Sequence, residues 1–313
     1  MLIAGPNLTL DRTLSIPELR PGEVLRFERA EITPGGKGVN VARVARSLAS
    51  PAHLVGFAGG RTGRAVVELI EDEGLSLSTI PVDGEVRSSA IVIEDSGRIT
   101  VLNEPGPSIG EADWARLEAT IEGHLSRHRI LICTGSSPPG TPGDGYARLV
   151  ERARRASVPV LVDAAGELLS RALEAEPDFV APNLGEAEGL LEGHSSEHTD
   201  TDMPDAPERA RAAAAALAGR GARVALVTAG GAGVAIAGAD GSWWVDSPAV
   251  EVANPIGAGD AFVGGLCGAL QRSTPLRAAV AEAVATASAS VETPGAGMVH
   301  PARIPALRTV IDN

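Results

Sequence analysis

Four short apolar runs, residues 129–133, 158–162, 179–181 and 224–227, recur along the chain without strict polar alternation. A strand with one face in water alternates; a run apolar on both faces belongs to a parallel sheet covered on each side. The segments between the runs have helical spacing. Val41, Val44, Ala45 and Leu48 share one face, with Arg43 and Arg46 outside, and Trp114, Leu117, Ile121 and Leu125 form a second stripe. Residues 208–220 read as an alanine-rich helix ended by Gly219 and Gly221. Strands separated by helices imply βαβ units, hence a doubly wound, mostly parallel α/β sheet flanked by helices in one domain spanning 1–313.

Two regions break the rhythm. Residues 24–32 are extended and charged on both faces, and residues 86–93 and 98–102 flank Asp95-Ser96-Gly97, a hairpin signal. Strands with little helix between them predict a small β-sheet lid built from 12–34 and 85–104, able to cover a site or to meet a second copy of the chain. A late hairpin is predicted at 239–242, and the polar run 194–207 reads as a surface loop whose His194 and His198 are solvated rather than metal-bound.

The net charge of −13 disfavours nucleic acid and anionic membrane surfaces as partners, so an anionic substrate has to be gathered by local groups. Lys37 is the only lysine in the chain, and it stands in a glycine-rich loop. Cys133 and Cys267 are far apart in apolar surroundings and read as reduced, buried thiols. No stretch reaches the roughly 18–20 apolar residues that span a bilayer. With no basic, apolar leader at Met1, the expected compartment is the cytoplasm.

Four segments could carry chemistry. Residues 254–262 place Gly257, Ala258 and Gly259 at the start of an apolar helix after an extended stretch (250–252). Backbone N–H groups converging there suit an anion. Asp260, at the mouth, either takes a proton from an attacking hydroxyl or simply caps the helix. Gly35, Gly36, Lys37 and Asn40 open another helix without Walker A spacing, as a polyol and phosphate cradle or as an ordinary turn. Asn183 and Glu186 stand one helical turn apart, suited to the waters of Mg²⁺ or to a capping box. Thr134, Asp163 and Thr228, with the glycines after them, end predicted buried strands, where open α/β sheets bind ligands.

Together these segments resemble the PfkB carbohydrate kinases, which have the ribokinase-like fold, over nearly the whole chain. The likeness includes Asn7 to Asp11, the block Gly35-Gly36-Lys37-Gly38-Val39-Asn40-Val41-Ala42-Arg43, Arg87, Gly106-Pro107, Gly135 to Gly140, Asn183 with Glu186, and Gly257-Ala258-Gly259-Asp260. Lys37 and Arg87 resemble the branch holding 1-phosphofructokinase and tagatose-6-phosphate kinase. A planar guanidinium suits the phosphate such substrates carry.

The resemblance implies an ATP- and Mg²⁺-dependent phosphotransferase acting on an alcohol group of a ketohexose monophosphate, fructose 1-phosphate or tagatose 6-phosphate. Asp11 and Asn40 would hold hydroxyls, with Gly35 and Gly36 allowing close approach. Lys37, Arg87 and Ser136 would grip the substrate phosphate, and Arg26 on the lid would reach a partner subunit's site in a homodimer. Asp260 would be the general base, with the 257–259 amides on the transferring group. Asn183 and Glu186 would organise Mg²⁺ through water, and Thr228, Gly230 and Gly233 would meet the nucleotide, whose base sits between 230–233 and the helix at 286–290. The family's usual lysine before Pro-Asn is Ala181 here, and its usual Ser or Cys after Asp163 is Ala164. Losing that lysine removes a phosphate contact worth about 1–3 kcal/mol. The rival expectations are a kinase for a neutral sugar or nucleoside, and a catalytically weak sugar-phosphate sensor.

Overall fold

The computed structural model describes residues 1–193 and 203–311; His194 and His198 lie outside them. Thirteen strands run in chain order: β1 (Leu2–Ala4), β2 (Thr9–Ile16), β3 (Ala30–Gly35), β4 (His53–Ala58), β5 (Leu77–Pro81), β6 (Arg87–Glu94), β7 (Ile99–Asn103), β8 (Leu131–Thr134), β9 (Val160–Asp163), β10 (Phe179–Val180), β11 (Val224–Thr228), β12 (Gly233–Gly238) and β13 (Gly241–Asp246). The helices are α1 (Lys37–Ser47), α2 (Gly60–Asp72), α3 (Glu111–Leu125), α4 (Gly145–Arg155), α5 (Gly166–Glu174), α6 (Leu184–Glu192), α7 (Ala206–Gly219), α8 (Ala258–Gln271), α9 (Leu276–Val291) and α10 (Ile304–Ile311).

Nine strands form the main sheet in the order β13-β12-β11-β10-β9-β8-β1-β4-β5. It is parallel except for the β11-β12-β13 meander at one edge. The four apolar runs are the consecutive central strands β8 to β11, and their two faces feed two cores. Leu131 and Cys133 pack with Trp114, Leu117 and Leu149 on the α3-α4 side. Ile130 and Ile132 pack with Val39, Phe262 and Val280 on the α1-α8-α9 side. Both cysteines are free and buried. Among the described residues no helix is long and apolar enough to cross a membrane.

A second sheet, β3-β2-β6-β7, stands apart from the first. Its β6-β7 hairpin turns at Gly97, whose φ of 82° is left-handed. The sheet is mixed, since β2 pairs β6 in parallel over residues 9–16. Two expectations need correcting. Residues 24–29 are not strand, because their charged and exposed side chains offer no face to bury; only Ala30 onward joins β3. Residues 250–252, read as an extended stretch that Pro255 ends as a strand, join no ladder. The N–H groups of Ala253 and Asn254 that follow bond the Val291 carbonyl at the end of α9 instead (2.7 and 3.1 Å).

Candidate active site

The carboxyl ends of β8 and β9 and the first turns of α1, α6 and α8 enclose one charged cluster. Lys37, at the start of α1, donates to Asp163 Oδ1 (3.0 Å) and to Glu186 Oε1 (3.3 Å). Asp163 is buried at the end of β9, and its Oδ2 accepts from the Thr134 hydroxyl (2.7 Å). Asp260, in the first turn of α8, is 5% exposed, and its Oδ2 accepts from Asn40 Nδ2 (2.7 Å). Burial pushes the Asp260 carboxyl up to about 7, against the opposing pull of Lys37, with Asp163 and Glu186 adding repulsion. For Lys37, burial opposes the charge, but Asp163, Glu186 and Asp260 outweigh it and hold the ammonium well above its ordinary range.

Glu186 forms the cap and still turns one oxygen toward the cluster. Asn183 Oδ1 accepts from the Glu186 amide (2.9 Å) and Glu186 Oε2 accepts from the Asn183 amide (2.9 Å), a complete capping box on α6. The other carboxylate oxygen faces Lys37. Burial raises the Glu186 carboxyl, and Lys37 works against it.

From this cluster a cleft of about 1190 Å³ runs toward the small sheet, lined among others by Gly36, Lys37, Arg87, Ser136 and Glu186. On β2, which pairs with the strand that carries Arg87, Asp11 lies under Gly35: a Cβ at position 35 would sit 1.9 Å from Asp11 Oδ2, so only glycine fits. Burial raises the Asp11 carboxyl and lowers the Arg87 guanidinium, while each favours the other's charge. Asn7 donates to the Ser136 hydroxyl (3.1 Å). Asn7 Oδ1, Asp11 Oδ1 and Arg87 Nε are buried without a partner among the described residues.

On the other side of α8's first turn lies a smaller, mostly apolar cavity of about 350 Å³. Thr228, Gly230, Gly233, Pro255, Gly259 and Ser288 are among its walls. It lies where a nucleotide base was expected, between the β11-β12 connection and α9. Gly257 is the N-cap of α8 with φ 85°, and Gly297 packs against it so closely that a Cβ at 257 would lie 2.9 Å from the Gly297 nitrogen.

The model for the pfkB family carbohydrate kinases matches residues 8–303. The chain belongs to that family. Among solved structures, Escherichia coli phosphofructokinase-2 in complex with potassium superposes with a TM-score of 0.88 at 26% identity, over 100% of this chain and 99% of that one. A Thermotoga maritima protein described as a possible 1-phosphofructokinase gives 0.84 at 25% identity over 98% and 97%. Thermotoga maritima ribokinase, at 21% identity and a TM-score of 0.75 over 98% of each chain, shares the fold. The chain is thus a ribokinase-like carbohydrate kinase, a phosphotransferase.

The expected residues line or adjoin these two cavities, with two corrections. The Asp260 carboxylate is not free at the mouth: the first turn of α8 faces inward, and Asn40 already holds one oxygen. Lys37 is not an unpaired anchor beside Arg87, because two of its three N–H groups go to the carboxylates of Asp163 and Glu186. Arg26 is exposed and outside any strand. Sequence reasoning missed a role for Asn7, although it opens the motif ending at Asp11. It also put Arg43 outside, whereas Arg43 is 3% exposed and bonded to Asn40. Its signal was the lack of any acidic residue at helical spacing, which leaves a buried guanidinium to find its carboxylate elsewhere.

Proposed function

We propose that this kinase transfers the γ-phosphoryl group of ATP to a ketohexose monophosphate, fructose 1-phosphate or tagatose 6-phosphate, giving the 1,6-bisphosphate. The observation carrying the substrate class is Arg87: a half-buried guanidinium in the cleft whose Nε has no partner among the described residues. A neutral sugar gives no reason to bury such a group, whereas a phosphate repays it with charged hydrogen bonds. The solved complex of Escherichia coli phosphofructokinase-2, 26% identical to this chain, with fructose-6-phosphate supports the same class.

In this reading Asp11, Asn40 and the bare backbone of Gly35 and Gly36 hold the sugar, and Arg87 and Ser136 hold its phosphate. Asn40 fixes Asp260 Oδ2, which leaves Oδ1 to receive the proton of the attacking hydroxyl. The hydroxyl oxygen bonds to the γ-phosphorus as the bond from that phosphorus to the bridging oxygen breaks, and ADP leaves with the electron pair. The amides of Gly257, Ala258 and Gly259 face the charge on the moving group, and Lys37, between Asp163 and Glu186, meets it from the opposite wall. Ala181 supplies no charge at the nucleotide phosphates, so Lys37 is the nearest ammonium. Thr228, Gly230 and Gly233 border the nucleotide cavity.

No group of three or more acidic, histidine or cysteine side chains among the described residues forms a metal cage, and both Glu186 oxygens are already bonded. Glu186 and Asn183 would hold a nucleotide-borne Mg²⁺ through water. When bound, the ion neutralises phosphate charge. The small sheet serves as a lid that excludes water. Its exposed Ile32, Val101 and Leu102 suit contact with a second copy, toward whose site Arg26 would reach.

A coupled ADP-release assay with fructose 1-phosphate, tagatose 6-phosphate, fructose 6-phosphate and ribose tests the reading. The expected order of kcat/KM puts a phosphorylated ketose at least about a hundredfold above ribose. A preference for ribose would overturn it.

A further inference from the structure

Asp260 is held by Asn40, and Asn40 is in turn held by Arg43. The Arg43 guanidinium is a buried hub with four destinations. Nε and Nη2 donate to the two carboxylate oxygens of Glu73 at the end of α2 (2.6 and 2.6 Å). Nη2 also donates to the Pro34 carbonyl, just before Gly35 in β3 (2.5 Å). Nη1 donates to the Ala296 carbonyl (3.4 Å) and to Asn40 Oδ1 (3.1 Å). Glu73 alone would satisfy the charge. The contact with Asn40 goes beyond that need.

An asparagine amide has one accepting end and one donating end, and a guanidinium only donates. With Arg43 on one side, Oδ1 has to face it, and Nδ2 is left pointing at Asp260. We infer that Arg43 is a positioning residue for phosphoryl transfer: it locks the Asn40 amide in the one orientation that offers an N–H to the base. The inference rests on Asp260 being that base. Asn40 is also pinned from behind, since a Cβ on Gly297 would lie 2.7 Å from Asn40 Cα. The backbone is therefore fixed and only the amide torsion is open to error.

If the fork is lost, the amide can turn and present its oxygen to a buried carboxylate. The charged groups around Asp260 are Lys37, Asp163 and Glu186; the two carboxylates cannot donate, and Lys37 is drawn to both of them by two of its three N–H groups. The charged groups facing Arg43 are Glu73, ion-paired at the far end of the fork, and Asp11, whose carboxylate the guanidinium favours through space. The ionised form of the base loses a bond that favours it, so the acid limb of the rate profile moves to higher pH.

The test is Arg43→Met, with Asn40→Ala, the double variant and Asp260→Asn alongside. Arg43→Met is expected to lower kcat about thirtyfold, with a smaller change in acceptor KM, and to move the acid limb of kcat up by about half a pH unit or more. In the Asn40→Ala background the same change should cost less than about threefold, because the residue acts through Asn40. Full additivity with Asn40→Ala, or an unmoved acid limb, would overturn the inference and leave Arg43 as a structural clamp. If Arg43→Met does not fold, Arg43→Lys takes its place. It keeps a charge against Glu73 but cannot reach Glu73, Pro34 and Asn40 together, and wild-type kcat with an unmoved acid limb in that variant refutes the inference. Asp260→Asn separates the two claims. Activity there sinks the base assignment itself, whereas an inactive Asp260→Asn beside a normal Arg43 variant sinks only the positioning role.

Discussion

At the Asp260 end of the cleft each charged side chain has a partner: Asp260 with Asn40, Lys37 with Asp163 and Glu186, Asp163 with Thr134. At the Arg87 end three buried atoms, Asn7 Oδ1, Asp11 Oδ1 and Arg87 Nε, have none among the described residues. Leaving a buried polar group unsatisfied costs about 1–3 kcal/mol. Such a cost, carried by three neighbouring groups, marks a surface finished by its ligand. In the proposed reading the Asp260 end, where the phosphoryl group would move, is preorganised, and the Arg87 end is completed by the acceptor. The first should respond to mutation in kcat and the second in KM.

The sharpest attack on this contrast is Asp260→Asn. Turnover should fall by about three orders of magnitude while calorimetric affinity for the sugar phosphate stays within about threefold. The same residue sets a pH dependence. As the proposed base Asp260 would work ionised, so kcat should climb with pH through about 7. A carboxyl raised by folding contributes stability that is complete below its ordinary value of 3.8 and is lost as pH rises through about 7. Asp260→Asn should accordingly melt above the parent at pH 8, with the advantage gone below pH 3.8.

At the other end, Arg87→Ala should raise acceptor KM by one to two decades, roughly 1.5–3 kcal/mol, with kcat little changed; an unmoved KM would remove the main support for a phosphorylated acceptor. Gly35→Ala should displace Asp11, since the new Cβ meets its Oδ2 at 1.9 Å, and raise acceptor KM about tenfold in the same steady-state assay. The smallest effect is expected from Asn183→Ala. Losing the α6 cap should cost about 1 kcal/mol, a shift of about 2 °C in a calorimetric scan, while Lys37 still holds Glu186 in place.

The central strands were legible because burial on both faces leaves an unmistakable apolar run, as in residues 129–133. The β6-β7 turn was legible because Gly97 names its own backbone conformation. Residues 24–29 misled, since extended charged sequence resembles an edge strand until no neighbour pairs with it. Within the site, sequence order indicated which segments matter, but not how their charges pair. Lys37 finds Asp163 at a separation of 126 residues and Glu186 at 149, distances no local pattern encodes. Arg43 was misplaced for a related reason. A charge on a helix reads as solvated unless its carboxylate can be foreseen, and Glu73 lies 30 residues away on another helix.

The lone lysine has a chemical consequence. With Lys37 as its only lysine, the protein carries a single ε-amine, and that amine sits in the reaction cleft. Acylation there would remove the one ammonium among three carboxylates and silence the enzyme in a single event. The same carboxylates keep the amine protonated and so a poor nucleophile, which shields the target from the reagents that would seek it.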